Sequence, residues 1–178
     1  MKYIINIGGK AEHGKDTFAT ILKQKLEEKN NNYVLILHFA DHLKYICKQY
    51  FGWDGNKDAV GREKLQHIGT NIVRERSPDF WVTGIRNFIE VFKFDFDYFL
   101  LPDFRFPNEY RNLIYHGLPV ITVKINRYNF ENSLTIEQRN HPSETALNNF
   151  EFDYVVNVDE GLDKVKIEVD KFIDYYSL

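Results

Sequence analysis

The stretch Gly8-Gly9-Lys10-Ala11-Glu12-His13-Gly14-Lys15-Asp16-Thr17 constrains the fold more than any other. It follows Tyr3-Ile4-Ile5-Asn6-Ile7, a mostly apolar run that reads as a buried strand. After it, Phe18, Ile21, Leu22 and Leu26 fall on one helical face. Strand, Gly-rich loop and helix form the setting that a phosphate-binding loop requires. Gly9, four intervening residues and Gly14-Lys15 fit the pattern G-x-x-x-x-G-K. Glycines let backbone N–H groups wrap a polyphosphate, and the helix adds its positive N-terminal end. Ala11, Glu12 and His13 fill the loop, and Lys15 can follow the charge between the terminal phosphates. One position departs from the pattern: Asp16 stands where Ser or Thr would hold a magnesium ion. A carboxylate there serves the metal directly or through a water, with Thr17 beside it. The bland alternative, a Gly-rich turn without a ligand, does not explain why motif and flanks agree.

Composition sets the outer bounds. A chain of 178 residues can bury a substantial core as one domain. Its net charge of -3 implies no large basic surface for nucleic acid. No apolar run approaches the ~18 residues of a membrane span. The chain enters a strand almost at once, so no signal peptide is expected, and the single Cys47 suits a reducing cytoplasm. Cys47 falls on an apolar helical face and reads as core packing, and the plentiful aromatics are expected to fill the core.

Strands and helices are expected to alternate. The first helix should run from about Lys15 to Lys29, stopped by Asn30-Asn31-Asn32. The run from Tyr33 to Phe39 suits a strand covered on both faces. A helix carrying Leu43, Ile46, Cys47 and Tyr50 follows, with Asp41 as its cap. Another helix is expected from Gly61 to Arg76. On it Gln66, Thr70 and Arg74 are four apart and share a polar face that could line a cleft. Ser77-Pro78 reads as a helix start, with Pro78 at the first helical position, and Trp81, Ile85, Phe88, Ile89 and Phe92 mark an apolar stripe. Tyr98 to Leu101 is a third strand, running into Asp103, where a carboxylate at the C-terminal edge of a parallel sheet is well placed for a site. A helix from about Asn108 to His116, a strand from Val120 to Ile125, a short helix around His141 to Leu147, a strand from Tyr154 to Val158 and a last helix complete the pattern. That helix is expected to turn Leu162, Val165, Val169, Phe172, Ile173 and Tyr176 inward. The segment from Arg127 to Asn140 lacks an apolar period and reads as a mobile flap. The alternation predicts an α/β fold, a five-stranded parallel sheet with helices on both faces.

These residues suit phosphoryl transfer, which asks mainly for positioning and charge neutralisation. Gly9 to Thr17 would hold the donor phosphates, and Asp103 would act on magnesium or its waters. A second anionic substrate needs arginines, which grip phosphate bidentately. Arg74, Arg105, Arg127 and Arg139 are available, the last two on the flap, where closure would exclude water. Each has a plainer alternative: Arg74 as a solvated helix residue, Arg105 as an ion-pair partner of Asp103, and Arg127 and Arg139 as ordinary loop arginines. His38 and His42 are read as non-ligands, since a strand end and a turn separate them. Trp53 and Trp81 read as packing groups.

The chain resembles the phage-type deoxynucleoside monophosphate kinases, which are P-loop kinases. The resemblance runs nearly end to end. It rests on Gly14-Lys15-Asp16-Thr17, Phe39-Ala40-Asp41-His42-Leu43-Lys44 and Leu65-Gln66-His67-Ile68-Gly69-Thr70. It continues through Pro78-Asp79-Phe80-Trp81, Asp103-Phe104-Arg105-Phe106-Pro107-Asn108-Glu109 and His141-Pro142-Ser143-Glu144-Thr145-Ala146-Leu147. It implies strand order 2-3-1-4-5, ATP as donor, Mg2+ as cofactor and a deoxynucleoside 5′-monophosphate as acceptor. It implies one kinase domain over 1–178 with a lid at about 127–142. Lys15, Asp16, Asp103 and Arg105 would be catalytic, with Asp16 and Asp103 serving the metal and Arg127 joining the loop around ATP. Phe39, Lys44, Gln66, Thr70, Arg74, Trp81, Arg105 and Arg139 would shape the acceptor side. Small-molecule nucleotides are the implied partners, in the cytoplasm or a host's cytoplasm, with no membrane or direct nucleic-acid partner and with room for a homodimer. The animal-type phosphomevalonate kinases look similar, sharing the Gly-Lys-Asp loop, an Asp-x-Arg after a strand and a Ser-Glu before the final strand. Gln66 favours a nucleotide, because an amide can read a base edge. A nucleotide-binding switch without fast transfer is a third alternative, against which the supply of arginines speaks.

Overall fold

The computed structural model describes residues 1–158 and 161–178, the Asn30 side chain excepted. Five strands form one parallel sheet: β1 (Tyr3–Gly8), β2 (Val34–Ile36), β3 (Tyr98–Phe104), β4 (Val120–Arg127) and β5 (Tyr154–Val158). Their order is β2-β3-β1-β4-β5, so the strand feeding the Gly-rich loop is central. Ile4 lies opposite Phe99 on one side and Val120 on the other.

The pleat of β1 sends successive side chains to opposite faces, and each face has its own core. Ile5 and Ile7 pack with Phe18, Leu22 and Leu26 of α1 (Lys15–Asn30) and with Val169 and Phe172 of α8 (Leu162–Tyr176). Ile4 packs with Phe99 and Leu101, with Val82 and Ile89 of α4 (Phe80–Phe92) and with Leu113 of α5 (Pro107–Tyr115). Burial on both faces explains why these strands read as apolar runs. Each such side chain, fully buried, is worth about 1.5–3 kcal/mol. Asn6 breaks the run: it is fully buried, and its amide nitrogen and oxygen both lack a hydrogen-bond partner. Cys47 and Trp53, both read as packing groups, pack with Ile68 in a smaller cluster. Among the described residues, no helix is long and apolar enough to cross a membrane.

Several local expectations are corrected. The strand expected from Tyr33 to Phe39 is β2 alone, because the chain leaves the sheet after the Leu37 N–H bonds to the Leu100 carbonyl. It then turns into α2 (Ala40–Tyr50), which Asp41 does not cap. Asp103 does this instead, its two carboxylate oxygens accepting from the Phe39 and Ala40 N–H groups at 3.0 and 2.9 Å. Asp103 itself lies inside β3, which runs three residues past the expected Leu101. The helix expected from Gly61 to Arg76 divides into α3 (Ala59–Gln66) and a π-helix (His67–Arg74). Pro78 precedes its helix by two positions; the Phe80 N–H bonds back to the Ser77 carbonyl and α4 starts there. Leu162 is 55% exposed, since it opens α8 at the sheet edge, and Phe88 and Phe92 are each 38% exposed. The aromatics therefore do not all enter the core.

The stretch expected as a flap carries structure of its own. It carries α6 (Ile136–Asn140), whose first turn is closed reciprocally by Thr135 and Gln138, and it buries Leu134. The short helix at the His141 motif is α7 (Pro142–Thr145), with His141 Nδ1 accepting from the Ser143 N–H.

Candidate active site

The C-terminal edge of the sheet opens into a cleft of about 460 Å³. Its floor comes from the loop after β1, its flanks from the end of β3, the start of α2, and α3 with the π-helix. Brought together here are Ala11, Glu12, Lys15 and Asp16 from the loop, Phe39 and Lys44 from α2, Gln66, Thr70 and Arg74 from the polar face, and Trp81, Asp103 and Arg105. Trp81 combines both readings made of it. It is 4% exposed, donates from Nε1 to the Gly69 carbonyl at 3.0 Å, and shows part of its surface to the cleft.

The loop has the geometry its glycines require. Gly9 has φ of +141°, and a Cβ on it would stand 2.5 Å from the Ile125 carbonyl oxygen of β4. Gly14 adopts φ of +87° and leads into α1 with no side-chain cap, leaving the first-turn N–H groups for an anion. Lys15 is 6% exposed and donates from Nζ to the carbonyls of Gly9 and Lys10 at 2.9 and 2.7 Å. Burial, followed by the charge of Arg105, pulls its ammonium down to about 7. A polyanion over the loop would reverse that pull.

Asp16 has a partner not expected from its position in the chain. His38 Nε2 lies 2.9 Å from its carboxylate, and His38 Nδ1 lies 3.4 Å from Asp41. The hydrogen bond with His38 lowers the Asp16 carboxyl and raises the imidazole above its ordinary value. His38 lies just past the end of β2, as Asp103 lies near the end of β3; placement at the C-terminal edge of the sheet was the available signal for it.

Two buried carboxylates fix the arginines. Glu109 of α5 is fully buried and accepts from Arg74 Nη2 at 2.5 Å and from the Arg105 and Phe106 N–H groups at 2.8 and 3.0 Å. Burial pushes its carboxyl upward, and the Arg74 charge opposes that. The Arg74 guanidinium stacks 4.0 Å above the Phe106 ring, and its Nη1 is buried without a partner. Arg105 pairs with Glu144 at 2.6 Å rather than with Asp103. Glu109 and Glu144 both lie in stretches that carried the family resemblance, yet nothing in their spacing assigned them a task.

The remaining expected residues sit elsewhere. Gly9, Gly14 and Thr17 provide loop and helix backbone. His13 and Arg139 line a smaller cleft of about 230 Å³ with Lys10 and Phe130, apart from Gln66, Thr70 and Arg74. Arg127 closes β4, where its guanidinium lies 4.0 Å over the Phe130 ring and its N–H donates to His13 Nδ1 at 3.2 Å. The segment expected as a lid bonds to the loop after β1 and to α3. Glu12 accepts from the Ser133 N–H at 3.0 Å, from the Ser133 hydroxyl at 2.5 Å and from Arg62 at 2.7 Å. Gln138 donates to the Ala59 carbonyl at 2.9 Å. Glu12 takes φ of +65°, a conformation that non-glycine residues adopt rarely.

Among solved structures, the chain is similar to a sugar kinase from Janibacter sp. HTCC2649, at 10% identity and TM-score 0.54, covering 99% of this chain and 95% of that one. It is similar to a shikimate kinase from Aquifex aeolicus, at 12% identity and TM-score 0.53, covering 98% of each chain. A shikimate kinase from Bacteroides thetaiotaomicron matches at 14% identity and TM-score 0.51, covering 99% of each. At such identities the likeness is one of fold: the chain has the P-loop kinase fold, with the strand order that fold implies. No protein-family model matches the chain, and no curated protein is similar to it in sequence at a significant level.

Proposed function

We propose that this protein is an ATP-dependent kinase that phosphorylates a deoxynucleoside 5′-monophosphate to the diphosphate, supplying DNA precursors in the cytoplasm. The observation that carries this function is the shared cleft. Lys15 and Asp16 face it from the phosphate-binding loop, and Gln66, Thr70 and Arg74 face it from the π-helical side. A donor polyphosphate on the loop and an acceptor phosphate on Arg74 would thus meet in one cleft, which Asp103 and Arg105 also line. Preorganised charge of this kind stabilises a transferring phosphoryl group.

Each residue then has a task. The Gly9 to Thr17 backbone binds the donor phosphates, and Lys15 exchanges its two loop carbonyls for phosphate oxygens. Arg74, which lines the cleft, meets the acceptor phosphate, its guanidinium already held in place by Glu109 and Phe106. Gln66 and Thr70 read the base, Phe39 and Trp81 wall the pocket, and Lys44 guards its mouth. Arg127 serves the donor side from the start of the lid, which spans about 127–142 of a single kinase domain. The donor set suits Mg2+. Asp103 spends one lone pair of each oxygen on α2 and keeps the others, and Asp16 is a second carboxylate on the same cleft. Among the described residues, no group of three or more His, Cys, Asp or Glu could hold a metal unaided. An ion held by Asp16 and Asp103 would be completed by phosphate oxygens and water, and its chemistry would be charge neutralisation on the transferring group.

The deciding experiment is ADP release measured with each deoxynucleoside monophosphate and with phosphomevalonate. Turnover with one or more deoxynucleotides is the expected result. Turnover with phosphomevalonate alone would move the acceptor to that class, and none with any of them would make the chain a nucleotide-binding module.

A further inference from the structure

Arg105 leaves the end of β3 on a long, flexible side chain, and the side chain that stills it is Glu144. The Glu144 carboxyl group is 6% exposed. One oxygen accepts from Arg105 Nη1 at 2.6 Å, and the other accepts from the Ala11 N–H of the phosphate-binding loop at 3.0 Å. The Glu144 backbone carbonyl accepts from Lys10 Nζ at 2.6 Å, and Lys10 also bonds Asn148 at 2.8 Å. Arg105 Nη1 makes longer contacts, 3.4 Å each, with the carbonyls of Gly9 and Ser143. All of these anchors use Nη1 of a guanidinium that carries five N–H donors, so the others stay available to a phosphate in the cleft.

From this geometry, and resting on the kinase function proposed above, we infer that Glu144 is a positioning residue for phosphoryl transfer. It joins Arg105 and the donor loop into one rigid unit, so that the guanidinium keeps its place relative to the phosphates the loop binds. A buried carboxylate with two charge-assisted or backbone donors holds its geometry far better than a solvated one. No proton or covalent bond passes through Glu144. It acts only through Arg105 and Ala11.

The test compares wild type with Glu144→Gln. An amide can accept from Arg105 or from Ala11, but its NH2 end then faces a donor, so one of the two contacts is lost. We expect kcat to fall about tenfold to a hundredfold, as for loss of one charge-assisted hydrogen bond. KM for ATP and for the acceptor should stay near wild type, measured at temperatures where the variant is fully folded. Glu144→Asp keeps the charge but shortens the reach, and it serves the same comparison if Glu144→Gln unfolds the chain. A second readout needs no turnover. In the ligand-free whole chain, the Arg105 side-chain NMR signals should show hindered rotation about Cζ–Nη1 in wild type and freer rotation in Glu144→Ala, which leaves no carboxyl or amide oxygen to accept from Nη1. Wild-type kcat in folded Glu144→Gln, or an Arg105 signal unchanged in Glu144→Ala, would overturn the inference. Should wild type phosphorylate no acceptor, the proposed function falls, while the NMR comparison still decides whether Glu144 holds Arg105.

Discussion

Arg74 and Glu109 form an ion pair of 2.5 Å in which the carboxylate is fully buried and the arginine side chain only 12% exposed. The pair therefore does two things at once. It aims a cation at the cleft, and it keeps a buried charge satisfied. Replacing Arg74 by Ala should raise the acceptor KM by roughly tenfold to a hundredfold with little change for ATP. It should also destabilise the fold by about 3–5 kcal/mol, because Glu109 is left uncompensated. The double variant Arg74→Met/Glu109→Gln separates the two effects: it should regain thermal stability without regaining acceptor affinity. Recovery of both, or weakened ATP binding with acceptor binding intact, would remove Arg74 from the acceptor side.

Lys15→Met should lower turnover by orders of magnitude while the chain stays folded. The apolar stem of Lys15 already sits in a buried niche, and its Nζ satisfies only loop carbonyls. Its charge matters when phosphate charge shifts in the transition state. Circular dichroism with an ADP-release assay checks this; activity near wild type in a folded variant would take the loop out of the mechanism.

The pair of Asp16 and His38 predicts a pH window. The Asp16 carboxyl is lowered, so its contribution is complete above the ordinary 3.8 and is lost as pH falls through the lower folded value. His38 is raised, so its contribution is complete below the ordinary 6.5 and is lost as pH rises through the higher folded value. The Tm difference between wild type and His38→Asn should be greatest between those two pH values and shrink on either side. Asp16 is 78% exposed at its side chain, so screening keeps the effect small. A difference that does not vary with pH would separate the two residues.

Asn6 offers a test of the core. Its buried amide has no partner at either end, which costs about 1–3 kcal/mol per unsatisfied group. Asn6→Val keeps a strand-compatible shape in the middle of β1 and should raise the urea midpoint without a change in slope. A lower midpoint would mean that a bound water or an unseen contact satisfies the amide.

The sheet was legible because its inner strands β1 and β3 bury both faces, so apolar runs bounded by Gly, Pro and Asn fell where strands form. The phosphate-binding loop was legible because Gly9 and Gly14 occupy conformations, at φ of +141° and +87°, that other residues avoid. Partnerships across the chain were not. Nothing near Asp103 in sequence shows that it caps α2, 63 positions away, or that Glu144 reaches Arg105 across 39. Acidic residues in loops and short helices look alike until the fold decides which are buried. The short helix α6 was hidden for a related reason: one buried Leu134 and two reciprocal hydrogen bonds organise that stretch without the apolar periodicity that marks longer elements.

The wide coil from His67 to Arg74 acts as a geometric spacer. Trp81 clamps it from outside through the Gly69 carbonyl, and Arg74 ends it at the cleft. Each residue added to or removed from a helix swings everything beyond it by about 100°. The i→i+5 turns of this coil hold more residues than ordinary helical turns, so its eight residues set the angle at which Arg74 leaves the backbone. Chain length at this one place thus becomes a determinant of which side chain lines the cleft.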